Sequence, residues 1–335
     1  MSGEERAGAT RAWWVAVLWM LVVAGVYFGS GRLGLLAQVV VEGVRVTPLW
    51  PPSGVAVAAL LLLGLRVWPG IALGQWLVVL SIAHWHLSWP GLGIVVGATL
   101  APVLAWLFLR VVKFRPQLDR LRDGLALVCV ALVSTLVSSS ASTLILLAEG
   151  ALKPHDYWEA WTAWWTGDAM GVLVVTPLLL AARYVRAPRD TPMMRWVELA
   201  LLLGATVGVM LLVTHSALSL LFLVFPLVIW AAIRFQMPGA APCVLIVSVL
   251  AVVAAIDHAG PFAGHGVAAE MFMLQALNGS AALTALLLSA VITERDNTHR
   301  MIAEACVGLA EVVARLAPDE VADQWPDRWP GAQDG

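Results

Sequence analysis

The chain has 335 residues, 60% of them hydrophobic and 13% charged, with a formal net charge of -2. An ordinary soluble domain is about half apolar and about a quarter charged, so this sequence has too little charge to cover a soluble surface. The slight acidity and the lack of a basic stripe argue against a nucleic-acid binder, and the long apolar runs mark an all-α, polytopic membrane bundle.

A helix crossing roughly 30 Å of hydrocarbon needs about 17–25 apolar residues. In chain order, breaks at charges and at Pro/Gly leave candidate spans at 13–28, 53–65, 67–83, 90–110, 124–148, 165–182, 196–213, 217–233, 240–256 and 269–292. The first follows Arg6 and Arg11 but lacks a small-x-small cleavage site, so it reads as a retained helix and not a signal peptide. Residues 31–47 carry Arg32, Gln38, Glu42 and Arg45. They are too polar to span, and a re-entrant or interface-lying segment is expected, with an ordinary extracytoplasmic loop as the alternative.

Next comes Trp50-Pro51-Pro52-Ser53-Gly54. Proline lacks a backbone N–H and pushes the preceding residue out of the α region. Trp50 to Pro52 is therefore expected to be extended, with a helix starting near Ser53. The apolar run that follows is cut by Arg66 and by Trp68-Pro69-Gly70. Segments 53–65 and 67–83 are either two short helices or one broken element, which leaves eight to ten spans. Arg66 reads as an anchoring charge at the inner face, or as a contact to a lipid phosphate.

One span is rich in small hydroxyls: Ser134, Thr135, Ser138, Ser139, Ser140, Ser142 and Thr143. Close helix packing is the default reading for these and for Gln275, Asn278 and Ser280 in the last span, with a polar pocket as the alternative. Trp158, Trp161, Trp164 and Trp165 precede Gly167-Asp168 and Gly171. They read as interfacial belt tryptophans, with an aromatic cage as the functional alternative. Asp168 lies just inside the outer end of its span, where a carboxylate is costly and usually faces a partner or a cavity. Gly167 and Gly171 have the small-xxx-small spacing that lets helices approach closely. We expect Asp168 to pair with Arg32 or Arg45, with a capping or solvated carboxylate as the alternative.

The positive-inside rule orients the bundle. With the N-terminus in the cytoplasm, all but Arg32, Arg45 and Lys153 of the 20 Lys and Arg fall inside, Arg234 among them. Both termini are then cytoplasmic. All but His299 of the seven histidines fall outside. His84-x-His86 is a weak signal for pH or metal sensing, and loop histidines are the plainer reading. Cys129, Cys243 and Cys306 lie on the reducing side and read as small buried residues. Nothing in the sequence requires a cofactor or a metal.

The tail repeats apolar residues at Ile302, Ala305, Leu309, Val312 and Leu316, about two heptads. The organisation expected is a 1–12 cytoplasmic tail, a 13–293 transmembrane domain, a 294–317 cytoplasmic amphipathic helix and a disordered 318–335 tail, with no room for a catalytic domain after residue 317.

The stretches LWPPSGVAVAALLLLGLRVWPGIALG (49–74) and WWTGDAMGVLVVTPLLLA (164–181), with AIRFQMPGAA (232–241) and SAVITERD (289–296), resemble the membrane-associated sensor domain known as MASE, type one. The resemblance covers about 13–296. It implies the input half of a bacterial signalling protein, carried here by Trp50, Pro51, Pro52, Gly54, Trp68, Pro69, Gly70, Gly74, Trp165, Gly167, Asp168, Gly171, Pro177, Arg234 and Phe235. The usual output half, a kinase or cyclase, has no counterpart in these residues.

The expected role is a non-enzymatic, stand-alone sensor in the inner (plasma) membrane. It would take an extracytoplasmic or membrane-borne cue and pass it to a separate cytoplasmic kinase, cyclase or regulator through 294–317. The lipid bilayer is the other partner, a homodimer is left open, and a small-solute transporter or permease is the alternative function.

Overall fold

A computed structural model of the chain describes residues 3–41, 44–83, 86, 88–184, 192–216, 220–264 and 267–316. Among them are helices α1 (Gly3–Leu35), α2 (Pro51–Leu63), α3 (Trp68–Ile82), α4 (Trp89–Val111), α5 (Leu121–Ala148), α6 (Tyr157–Tyr184), α7 (Met193–His215), α8 (Phe225–Phe235), α9 (Met237–Ile256) and α10 (Val267–Leu316). A small ribbon, β1 (Val39–Val41) with β2 (Val44–Val46), separates α1 from α2. Eight of the helical segments are long and apolar enough to cross a membrane, and α2 and α8 are shorter apolar helices. The protein is a polytopic helical membrane bundle, as its composition requires.

Why two helices are short follows from the packing. Gly70 backs onto Met20, Gly74 onto Ala24 and Tyr27, Gly31 meets Val78, and Arg32 reaches Ser81. The contacts advance along α1 and α3 in the same sense, so the two helices are parallel. Parallel neighbours need a return path, and α2 with its 3-10 turn (Leu65–Val67) is the helical part of it. The two segments 53–65 and 67–83 are therefore two helices of opposite direction.

Helix α2 has 13 residues, or about 20 Å of rise, against roughly 30 Å of hydrocarbon. Its ends thus lie where lipid offers no hydrogen bonds, and unpaired backbone there costs several kcal/mol per group. Three features meet that cost. Pro51 and Pro52 occupy the first turn and have no N–H to satisfy. The Gly64 N–H closes the last turn on the Leu60 carbonyl. Most of the helix is buried in protein: Ala56 and Leu60 pack with Val23, Tyr27, Ile71 and Val78, while Val57 joins the main core.

The same device recurs in the second half. Glu198 pairs with Arg234, Thr206 reaches Cys243, and Thr214 meets Gly260. Helices α7 and α9 are therefore parallel, with short α8 as the return. Each short helix gives way to the next through an arginine and a Pro-Gly: Arg66 with Pro69-Gly70, and Arg234 with Pro238-Gly239. The recurrence is one of architecture, with almost no shared sequence.

Several boundaries differ from the sequence reading. Helix α1 runs on to Leu35 and carries Arg32 in its last turn. The stretch expected to lie along the interface instead folds back as a ribbon that pairs Val39 with Val46 and Val41 with Val44. Its β-branched valines suit a strand, and pairing satisfies backbone groups at the membrane surface. Helix α2 begins at Pro51 and not near Ser53. Helix α6 begins at Tyr157, so Trp158, Trp161 and Trp164 belong to it and not to a preceding loop. Cys243 is buried as expected, whereas Cys129 and Cys306 are exposed.

The chain divides into two compact units, Met1–Ile292 and Thr293–Gly335. In the second, the residues up to Leu316 are helical, and Ile302, Leu309 and Val312 are exposed. The predicted disordered stretch 318–335 lies outside the described residues.

Gln236, between α8 and α9, has φ 54 and ψ -150, a region that glycine takes freely and side chains resist. Gln236→Gly is expected to stabilise the bundle by about 1 kcal/mol, read as a higher Tm in detergent. A lower Tm would show that the side chain's own contacts outweigh the strain.

Candidate functional site

The two Trp/Pro/Gly-rich stretches meet in one joint. A Cβ on Gly171 would overlap the Trp50 carbonyl, one on Gly167 the Thr47 carbonyl, and one on Gly54 the Gly171 carbonyl. The chain from Thr47 to Gly54 therefore lies with its backbone against the backbone of α6. Three hydrogen bonds fix the register. The Trp50 N–H donates to the Gly167 carbonyl at 3.0 Å. The Ser53 hydroxyl donates to Asp168 Oδ1 at 2.7 Å, and the Thr176 hydroxyl donates to the Gly54 carbonyl at 3.0 Å. Because Trp50 caps α2 without a side-chain hydrogen bond, this external pairing is what positions the helix start.

Beside the joint is a cleft of about 700 Å³, within the roughly 300–1,000 Å³ usual for small-molecule sites. It lies at the ends of α1, α3, α5 and α6 that the positive-inside count places on the extracytoplasmic side. Its polar lining is Arg32, Gln38, Thr47, Gln75, Ser81, Ser88 and Asp168, set among apolar residues with Trp50 and Trp164. Asp168 is 3% exposed and Gln75 6%. The Tyr27 hydroxyl donates to Gln75 Oε1 at 2.9 Å, and Gln75 is part of the cleft lining.

Asp168 does not pair with Arg32, one of the two partners expected for it. Its described hydrogen-bond partner is the Ser53 hydroxyl, and Ser138 lines a small pocket with both. Arg32 lies on the same cleft with its Nη1 donating to Ser81 Oγ at 3.4 Å. The two charges share a cavity without joining. The Arg45 side chain lies outside the described residues.

The other singled-out residues are dispersed. Arg66 is exposed in the 3-10 turn, and Trp68 is exposed at the start of α3. Arg234 Nε donates to both carboxylate oxygens of Glu198, at 3.0 and 3.1 Å. Trp161 donates to Ser140 and Trp165 to the Leu132 carbonyl. These two stacked indoles fasten α6 to α5, and of the tryptophan run only Trp164 faces the cleft. His86 is exposed, and His84 lies outside the described residues. Among the described residues no three His, Cys, Asp or Glu side chains form a metal-sized group.

The hydroxyls of α5 mostly bond back to carbonyls four residues earlier, as in Ser134 to Val130 and Thr135 to Ala131. Ser138 is the exception with a bearing on the site. Sequence reasoning misses two other groups, and it reads Gln275 as a packing residue without naming its partner. Gln75 and Tyr27 are the buried polar floor of the cleft, and the only signal was one glutamine in an apolar span. Gln275 donates from Nε2 to the Pro48 carbonyl at 3.0 Å, tying α10 to the joint. Glu270, 3% exposed, meets His258 Nδ1 at 2.9 Å.

Gly171→Ala is expected to destabilise the bundle by about 3 kcal/mol, because its methyl meets a backbone carbonyl that cannot move aside. Gly204→Ala on α7, where a Cβ meets nothing within 4 Å, is the control and should be neutral or gain up to about 1 kcal/mol. Equal Tm values for the two variants would contradict the joint.

No curated protein and no solved structure matches the chain. The family model MASE1 matches residues 19–296. That match contains the joint, the cleft and both short-helix units, and the chain belongs to the MASE1 family of membrane sensor domains.

Proposed function

We propose that the chain is a sensor in the inner (plasma) membrane that binds its cue in the outer cleft and relays it to a separate cytoplasmic kinase, cyclase or regulator. The observation that carries this reading is the hydrogen bond from Gln275 to the Pro48 carbonyl. Thr47 and Trp50 are cleft wall, and Pro48 lies between them. Gln275 belongs to α10, whose residues run on to Leu316. A ligand that prefers one position of the Thr47–Trp50 wall thereby prefers one setting of α10, and differential affinity is the only way a ligand can shift such an equilibrium.

The output surface in this reading is residues 294–317, where Ile302, Leu309 and Val312 are exposed apolar side chains. Family membership supports a sensory and not a catalytic role.

A transporter is the second reading. The observation that favours it is the pair of short, Pro/Gly-bounded helices in corresponding places of the two halves, a pattern that marks substrate sites in transporters. The relay reading is preferred because the cleft lies against α1 and α3 and its Thr47–Trp50 wall is bonded to α10.

The test is a photo-crosslinker at Leu309 in the full chain, in cells. Capture of a kinase, cyclase or response regulator that is lost in the Leu309→Asp, Val312→Asp variant is expected. Gln275→Leu should keep the protein folded and crosslinked while abolishing the dependence of crosslinking on cue. Solute uptake by proteoliposomes, with no signalling protein captured, would overturn the proposal in favour of transport.

A further inference from the structure

The cleft holds two charges of opposite sign that do not meet. Asp168 is almost fully buried and lines the cavity, and its described hydrogen-bond donor is a neutral hydroxyl, that of Ser53. A carboxylate among apolar walls is costly unless a cation or several donors compensate it. Arg32 stands at the exposed edge of the same cavity with one long hydrogen bond to Ser81. Gln75 lines the same cavity, and its amide has N–H donors to offer.

Each simple ligand class leaves one group uncompensated. A plain cation satisfies Asp168 and is repelled by Arg32. A plain anion satisfies Arg32 and is repelled by Asp168. A neutral molecule desolvates both charges and pairs neither. We propose that the cleft binds a zwitterion on an apolar body, with a primary ammonium directed to Asp168 and Ser53 and an anionic group directed to Arg32 and Gln75. The apolar body lies against Leu35, Val79, Ile82 and Leu146, and Trp50 and Trp164 flank the ammonium end. This names the ligand class for the cleft and rests on the reading of that cleft as the sensing site.

Two sources carry this chemistry: an ethanolamine phospholipid entering from the outer leaflet, and a soluble amphiphilic amino acid. The experiment uses purified full-length protein and needs no signalling partner. Native mass spectrometry compares retention of phosphatidylethanolamine with phosphatidylglycerol, which has the phosphate but no ammonium. A parallel arm measures the Tm shift with leucine and with glycerophosphoethanolamine.

At least a tenfold preference for phosphatidylethanolamine assigns the lipid source. A Tm rise with leucine, without lipid preference, assigns the soluble one. In either case Asp168→Asn should bring the effect below twofold. Arg32→Ala, at the exposed edge, should weaken retention of phosphatidylethanolamine, or the Tm rise with leucine, about fivefold.

Equal retention of the two lipids with no Tm shift from either soluble probe overturns the inference. So does retention of phosphatidylethanolamine, or a Tm rise with leucine, that Arg32→Ala leaves unchanged. Neither result touches the relay, which the crosslinking experiment tests separately, and failure to capture a signalling partner leaves the binding result standing.

Discussion

Two positions on α6, Gly167 and Gly171, have no side chain because carbonyl groups of another segment occupy that space. The segment is Thr47 to Gly54, and its contact with α6 is backbone on backbone. In a bilayer this matters more than in water. Lipid tails are as apolar as leucine, so helices gain little from simple apolar contact, and close approach with polar pairing does much of the work. The Trp50–Gly167, Ser53–Asp168 and Thr176–Gly54 hydrogen bonds are available only because the glycines let the chains come together.

The short helix α2 depends on that joint. At 13 residues it cannot bridge the hydrocarbon alone, so its first turn needs neighbours that satisfy it and its sides need protein and not lipid. Once α2 is held, α1 and α3 can lie parallel, and the space between their outer ends and those of α5 and α6 becomes the cleft. The second half repeats the arrangement with α7, α8 and α9, where the Glu198–Arg234 pair takes the fastening role. The Tyr27–Gln75 pair lies at the cleft, and the bond from Gln275 to Pro48 attaches the last helix to the same short strip of chain that walls it.

Much of this was legible in the residues, because membrane physics is restrictive. Long apolar runs have to be helices. Pro51-Pro52 marks a nearby helix start, expected at Ser53 and found at Pro51. Gly167 and Gly171, four apart, signal close approach. What failed were matters of direction around a helix axis. Knowing that Asp168 and Arg32 share a membrane face says nothing about which way each points, and a serine proved to be the partner. The recurrence of the short helix was hidden because it is defined by packing, with only an arginine and a Pro-Gly in common. Gln275 looked like a packing residue until its partner, a carbonyl 227 positions away, was seen.

The account stands or falls on the joint between Ser53 and Asp168. The direct measurement is a double-mutant cycle of Ser53→Ala and Asp168→Asn, with unfolding free energies of the full chain in one detergent or lipid condition. A hydrogen bond to a charged group contributes about 1.5–3 kcal/mol, so the cycle should give a coupling energy of at least about 1 kcal/mol. Effects that add to within about 0.5 kcal/mol, the behaviour of independent sites, would contradict the joint and the cleft built on it.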